Sequence, residues 1–517
     1  MRYLILIFTF TLFLNAYSQS DDSSLFYPSD KLSLTKFFNQ ENRSFIIDTS
    51  TFFTNVNYNI QYGNAQSFGL KYKQELNSFF DLQLNLIKFS RDGLFQNEEI
   101  KNHEFDFIVN FSNKDSNYHS TFHYGSEKYL FEENGSVLGF NNQSTIDPIL
   151  FSVSLDQANN TGLNRFFNYN QSFQLSEKLK LVNHSSYYSK YRIFEDSNPN
   201  LDYYSSIYID STHTFDSTHF SSFYNQLGFN TSYFNVRYLF KQQSSSQLLL
   251  DSVLVDHGFS LSSTQFIANY SINAYLDYYR SCAYNATLNV SNPDSSFRFL
   301  LASNEPLHSV FTNRYLSNHS EFNTNYSNYK KHLASIIFSN DKFHLSSALS
   351  FHDNYVFLNQ DQLYSQNSDL FYHLKSYLSF NWKWRLLNAS HSFTYQHSSD
   401  SDVFRVPQYT FLSNLYINPI LFEESLILKL GSSVSYFSSY YANAYSPSLA
   451  TSYLQDNQSI GDFPFLSFYA KINIETVNVE FHILNLFDKL SDQTFYLIPN
   501  APYYRSPFQL LISWQFD

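Results

Sequence analysis

The sequence predicts an all-β chain forming a single transmembrane antiparallel β-barrel of roughly 18–20 strands, with short periplasmic turns and long extracellular loops. Three observations lead there. From Pro507 to Asp517 the even positions read Phe508, Leu510, Ile512, Trp514 and Phe516, while Gln509, Leu511, Ser513 and Gln515 fill the odd ones. Side chains of a strand alternate between two faces, so this stretch has one greasy face and one mostly polar face. Second, such stretches recur along the chain, punctuated alternately by tight turns and long polar loops. Third, aromatics make up 20% of the residues and charged groups only 15%, against about 25% charged in an ordinary soluble domain. Mean hydropathy is nonetheless −0.34, because Ser, Asn and Gln abound. A wall with one face in lipid and one in water needs this balance.

The amino terminus sets the compartment. Arg2 supplies a positive charge, Leu4 to Leu14 is apolar apart from Thr9 and Thr11, and Ala16-Tyr17-Ser18 offers small residues where a signal peptidase reads. Residues 1–18 are therefore expected to be a secretory signal peptide, cleaved after Ser18 and too short to span a membrane. Residues 19–43 read as a short periplasmic segment and 44–517 as the barrel, its first strand falling within Ser44 to Gly63. No later apolar run approaches the length of a transmembrane helix. The single cysteine, Cys282, excludes a lipoprotein anchor, a disulfide framework and a cysteine-based zinc cluster.

A rhythm of strand, short turn, strand, long loop follows. Gln66 to Glu75 and Asp81 to Phe89 flank Asn77-Ser78. The next pair sets Phe105, Phe107, Val109 and Phe111 opposite Glu104, Asp106 and Asn110, turns at Asn113 to Asn117, and returns through Tyr118 to Lys128. Phe166 to Leu175 pairs with Leu179 to Tyr191, and Phe220 to Asn230 with Phe234 to Lys241. His332 to Ser339 and Phe343 to Phe351 meet at Asn340-Asp341-Lys342. Leu374, Leu378, Phe380 and Trp382 share a face ahead of a return through Ala389, Phe393 and Tyr395. Tyr409 to Ile417 pairs with Leu426 to Phe437, and Phe463 to Ile474 with Val477 to Leu486. Sandwiches scatter long connections over both ends, whereas outer-membrane barrels keep them on the external side.

Candidate chemistry is sparse. The chain has 16 histidines, but His119 and His123 are four apart and His391 and His397 six apart, too far along a strand to chelate one ion. His103-Glu104 lacks the second histidine of a zinc-protease helix. There is no nucleophile elbow and no phosphate-binding loop, so no catalytic, cofactor-binding or metal site is expected. A net charge of −13 argues against nucleic acid as a partner. Glu98, Glu99, Glu132, Glu133, Glu195, Asp196, Asp210 and Asp216 fall in or beside long loops, where solvation is preferred over a cation-selective mouth as their role.

Several stretches resemble the putative outer-membrane porins of the Bacteroidota. They are Ser90 to Asn97, Glu133-Asn134-Gly135, Tyr315 to His319, Phe404 to Pro407 with Leu415-Tyr416, Gly431 to Tyr436, Tyr440 to Pro447, and Gly461 to Pro464 with the closing strand. Ser136 stands where a second glycine is usual in the family. The resemblance implies an outer-membrane location and passive passage of small hydrophilic solutes, and it carries no catalytic residue. Trp514 and Phe516 look like the signal read by the barrel assembly machinery, although Asp517 follows them. Outer-membrane lipid, that machinery and small solutes are the expected partners, and analogy with trimeric porins admits a homo-oligomer. The rival reading is a structural or adhesive barrel with a closed lumen. A plugged barrel of the TonB-dependent transporter kind ranks lower, because only the short segment 19–43 is expected ahead of the barrel.

Overall fold

In a computed structural model of the chain, the described residues are 53–516, except 62–63, 141–145, 248–249, 268, 307–313, 422–425, 488–493 and 504–507. The expected signal peptide and periplasmic segment lie outside them.

The strands form because apolar and polar side chains alternate over runs with few glycines or prolines to break them. The barrel begins with β1 (Phe53–Gln61), β2 (Ala65–Asn77), β3 (Phe80–Arg91), β4 (Ile100–Ser112) and β5 (Tyr118–Glu133). It continues through β6 (Ala158–Ser176), β7 (Leu179–Asp196), β8 (Thr214–Thr231), β9 (Phe234–Gln247) and β10 (Leu250–Ile267). Three shorter strands follow, β11 (Tyr270–Tyr279), β12 (Tyr284–Ser291) and β13 (Phe297–Glu305). Then come β14 (Lys330–Ser339), β15 (Phe343–Asp353), β16 (Phe371–Trp384), β17 (Leu387–Ser398) and β18 (Tyr409–Ile417), the last extended by Ile420–Leu421. The wall ends with β19 (Leu426–Phe437), β20 (Phe465–Ile474), β21 (Val477–Ile483) and β22 (Phe508–Phe516).

Each strand pairs antiparallel with its neighbours, and β22 pairs with β1, closing a barrel of 22 strands. Closure satisfies the edge amides, which would otherwise cost several kcal/mol each in hydrocarbon. Register aligns the faces across the seam. Trp514 sits between Val477 and Val56, Ile512 between Val479 and Tyr58, and Leu510 between Phe481 and Ile60. On the other face Ser513 lies between Asn478 and Asn57, and Gln509 beside His482.

The strand number exceeds the roughly 18–20 expected. The difference lies in residues 250–305, which hold four strands, β10 to β13. Their connections carry no glycine and, apart from Pro293, no proline. Asn269, Cys282 and Ser295 take the left-handed backbone conformation instead (φ 68°, 70° and 56°). Turns made this way lack the usual sequence punctuation.

Four of the inner turns share one device. Asn77 Oδ1 accepts from the backbone N–H of Phe79 (2.8 Å) and Phe80 (3.1 Å). Asn113 does the same for Tyr118, Asn292 for Phe297 and Asn340 for Phe343. Side-chain capping of this sort is why asparagine favours tight turns.

The outer connections are not all long. β2 begins at Ala65 soon after β1 ends at Gln61, β10 at Leu250 soon after Gln247, and β12 at Tyr284 soon after Tyr279. By contrast, long excursions separate Glu133 from Ala158, Glu305 from Lys330, Phe437 from Phe465 and Ile483 from Phe508. Two-stranded hairpins stiffen these and neighbouring loops: Arg314–Leu316 with Glu321–Asn323, Tyr355–Leu358 with Tyr364–Asn367, Ala444–Ser446 with Thr451–Tyr453, and Phe495–Ile498 with Ala501–Tyr503. Among the described residues no helix is long and apolar enough to cross a membrane; the strands do the crossing.

Candidate functional site: the lumen and its outer cap

The inward-facing half of each strand builds a polar wall. One belt near the inner end runs across adjacent strands through paired positions: Asp81, Asn110, Thr121, Asn170, His184 and Gln226. Asn110 Nδ2 donates to Asp81 Oδ1 (2.7 Å), and Thr121 Oγ1 donates to Asn110 Oδ1 (2.7 Å). His184 Nδ1 is hydrogen-bonded to Asn170 Oδ1, and Arg237 Nη1 donates to Gln226 Oε1 at 2.9 Å. On another part of the wall, Lys471 lies 2.5 Å and His482 3.0 Å from Glu480 Oε2, while Lys429 sits over the Tyr416 ring at 3.7 Å.

Above this wall the outer loops pack into a layer that crosses the mouth. The segment 438–464 leaves β19 and returns to β20, yet its midpoint is held by β5, β6 and β7 on the far side of the ring. Arg192 Nη2 donates to the carbonyls of Pro447 (2.9 Å) and Ser448 (2.7 Å), and Arg192 Nε donates to Asn160 Oδ1 at 2.8 Å. Asn160 Nδ2 donates to Pro447 O and to Glu133 Oε1, both at 2.9 Å. Tyr445 OH also donates to Glu133 Oε1, at 3.1 Å. Burial and then the Glu133 carboxylate hold the Tyr445 phenol well above its ordinary range.

Other loops lock the same segment from the sides. Ser446 Oγ donates to Gln362 Oε1 (2.5 Å), and Leu454 N donates to Leu358 O (3.0 Å). Arg405 Nη1 donates to Gln455 O at 2.5 Å, and the other terminal nitrogen of that guanidinium lies 2.6 Å from Asp456. Gln455 clamps the turn from within, donating to Ala442 O and Gln458 O and accepting from the N–H of Asn457 and Gln458. Phe437, Ala442, Ile460, Phe465 and Leu497 form an apolar core beneath it.

A second cluster joins 197–213 to 314–329. Asn318 N donates to Asp216 Oδ1 (2.7 Å), and Asn318 Nδ2 donates to Thr214 Oγ1 (2.9 Å). The His319 ring stacks on Tyr204 with centroids 3.6 Å apart, its Nε2 2.7 Å from Thr214 Oγ1 and its Nδ1 3.1 Å from Ser206 O. Burial lowers the His319 pKa below its ordinary 6.5. Tyr204 OH donates to Asp196 Oδ2 at 2.7 Å. A third joint is Asn97, whose Nδ2 reaches the carbonyls of Glu133, Leu155 and Ala158. Its loop turns at Gly93 (φ 86°), where a Cβ would lie 2.6 Å from that of Glu98.

The acidic residues expected to be solvated divide into three groups. Glu98, Glu99 and Glu132 are half-buried, Glu98 accepting from the N–H of Leu94 and Phe95, Glu99 pairing with Lys101 and Glu132 accepting from Glu99 N. Glu133, Asp196 and Asp216 are buried at 1%, 0% and 2% exposure and hold the cap together, which corrects the solvated reading for them. Glu195 and Asp210 stay at the surface, facing His213 and Thr212. His119 and His123 face the lumen; His391 and His397 take the outward parity, with His391 Nδ1 3.0 Å from Ser413 Oγ. No group of three or more His, Cys, Asp or Glu able to hold a metal occurs among the described residues. Trp514 and Phe516 lie on the outer face at 48% and 45% exposure, their rings stacked 5.1 Å apart. Arg192 and Asn160 escaped the sequence reading, since an inward polar residue looks alike wherever it stands on a strand, and Gln455 escaped it as one more polar residue of a long loop. Their signal was indirect: they hold Tyr440 to Pro447 and Glu133, stretches on which the family resemblance rests.

These features define a large outer-membrane β-barrel whose mouth is covered by its own loops. The sequence profile of the family described as "Putative porin" matches residues 13–517, and the chain belongs to that family. A search of curated proteins returns no match. Among solved structures, the fold is similar to the FrpB iron transporter of Neisseria meningitidis, with TM-score 0.63 and 11% identity over 94% of this chain and 83% of that one. It is also similar to the ferric preacinetobactin receptor BauA of Acinetobacter baumannii (TM-score 0.58, 12% identity, 90% and 80% covered). A ferric enterobactin receptor variant from Pseudomonas aeruginosa gives 0.64, with 11% identity over 90% and 82%. At such identity the likeness concerns the fold alone.

Proposed function

We propose that the barrel is a passive, non-enzymatic channel for small hydrophilic solutes, narrowed at its outer end by the loop layer. The observation that carries this reading is the hydrogen-bonded polar wall from Asp81 to Gln226 behind an apolar exterior. Membership in a family described as porins supports it. Barrels of 16–18 strands leave an aqueous channel, whereas 22-stranded transporters are plugged. Here the described residues supply the loop layer as a constriction. The rival, a closed structural barrel, draws on the same layer, because segment 438–464 crosses the mouth.

The purified protein in planar bilayers separates the two. Discrete conductance steps, together with swelling of liposomes in small sugars and amino acids, support the channel. Absence of both, persisting after segment 438–464 is detached, sinks it. The expected location is the outer membrane, with Gln19 as the mature amino terminus; mass spectrometry of protein from that membrane checks it. We assign Trp514 and Phe516 to recognition by the assembly machinery, for which delayed assembly of a Phe516→Ala variant is the test.

A further inference from the structure

We infer that the inner half of the lumen carries a binding site for a small hydroxy-carboxylate, centred on Arg237. The inference rests on the lumen being the solute path. A cavity of about 250 Å³ opens from the wall here, lined by His119, Thr121, Asn170, His184, Gln226 and Arg237 among others. That is below the ~300–1,000 Å³ of clefts that hold drug-sized ligands, which limits the occupant to about the size of one sugar.

Three features make this a built site. Arg237 pairs across the strands with Gly228, whose absent Cβ would lie 2.8 Å from Arg237 Cγ. The missing side chain thus lets the arginine stem lie flat toward β8. There Nη1 donates to Gln226 Oε1, while the buried Nε has no hydrogen-bond partner. No carboxylate lies within ion-pair distance of the guanidinium among the described residues. Directly across from Arg237 the register runs through Ser260 to Asp277, two strands away, whose Oδ2 accepts from the Tyr275 hydroxyl while its buried Oδ1 has no hydrogen-bond partner. Asp256, on the adjacent strand, pairs with Lys241, four residues along from Arg237. A guanidinium with a buried spare donor is costly, and a carboxylate is the group whose geometry it matches. Around it Asn170 Nδ2, His184 Nε2 and the Thr121 hydroxyl oxygen line the cavity with a donor, a tautomer-dependent donor or acceptor, and an acceptor for a polyol chain. Both His119 ring nitrogens are bonded to Ser112 and Ser116, and the Gln226 amide to Tyr224 and Arg237.

Isothermal titration of the full-length protein in detergent with sodium gluconate tests the site without requiring conduction. The wild type is expected to bind gluconate, and glucose at least tenfold more weakly. Arg237→Gln should weaken gluconate at least tenfold, and Arg237→Lys, which keeps charge but not the fork, by less. Gln226→Leu, which leaves the arginine in place, should also weaken it, with circular dichroism verifying intact strands in each variant. Failure of the wild type to bind gluconate, or unchanged affinity in Arg237→Gln, overturns the site. A protein that conducts without binding gluconate loses only this site; one that binds but never conducts loses the channel reading.

Discussion

Arg192 is the side chain on which the cap turns. It is 4% exposed and spends its donors on Asn160 and on the carbonyls of Pro447 and Ser448. A buried acceptor left without its donor costs about 1–3 kcal/mol, so Arg192→Met weakens the hold on segment 438–464 by removing two of the hydrogen bonds that draw it across the mouth. The barrel wall should survive. Protease nicking within 438–464 should speed up at least tenfold in outward-facing vesicles, and single-channel conductance should rise. His319 responds to acid. Its folded pKa lies below 6.5 because burial penalises the charged ring, with the hydrogen bond to Ser206 O and then Asp196 opposing, and Tyr204 and Thr214 filling its remaining contacts. The unfolded loop therefore binds more protons below pH 6.5, and the stability contributed is complete above that value and declines as pH falls through it. Asp216, whose carboxyl is raised by burial to about 6, contributes with the opposite sign. The His319 share is therefore the part of the acid-induced acceleration of hydrogen exchange over 197–213 and 314–329 that depends on this imidazole. His319→Gln should flatten that dependence.

Elements show how far residue patterns reach. The inner turns were legible because one asparagine type bonds two backbone N–H groups wherever a strand must reverse at Asn77 or Asn340. The face assignment of β22 was legible because apolar residues occupy every even position. Strands β11 to β13 were not, since Asn269 and Cys282 reverse the chain without glycine or proline. The cap was half legible. Its stretches stand out by resemblance to a family, but local pattern has no way to announce that Pro447 meets Arg192 across the barrel. The same alternation gives a test of β22. Ile512 pairs with Tyr58 and Val479 on the lipid side, and its neighbour Ser513 with Asn57 and Asn478 inside. A cation at the lipid-facing midplane costs about 2–4 kcal/mol. Ile512→Arg should lower stability by roughly that amount in denaturant titrations in lipid, and Ser513→Arg should be nearly neutral. Equal effects would remove the basis for the inside–outside assignment.

At the scale of the whole molecule the decisive joint is the seam, because it is formed by the first described strand and the last. Every other wall pairing joins neighbours along the chain and would exist in an open sheet. Only β1 against β22 makes the sheet endless, and an aqueous lumen depends on it. The seam also separates this fold from a soluble sandwich, whose apolar rows would face another sheet. Asn57 and Ser513 are direct partners on its inner side, and directly opposed antiparallel residues lie about 4.5–5.5 Å apart at Cα, within disulfide range. In a Cys282→Ser background, Asn57→Cys with Ser513→Cys should therefore oxidise readily in the folded protein. The cross-linked chain should keep its strand content and migrate as a closed loop on denaturing gels. A control pair shifted in register, Asn57→Cys with Gln509→Cys, should not link. If the matched pair stays reduced in membranes under oxidant while the wall is intact, the sheet is open and no lumen of the kind described here exists.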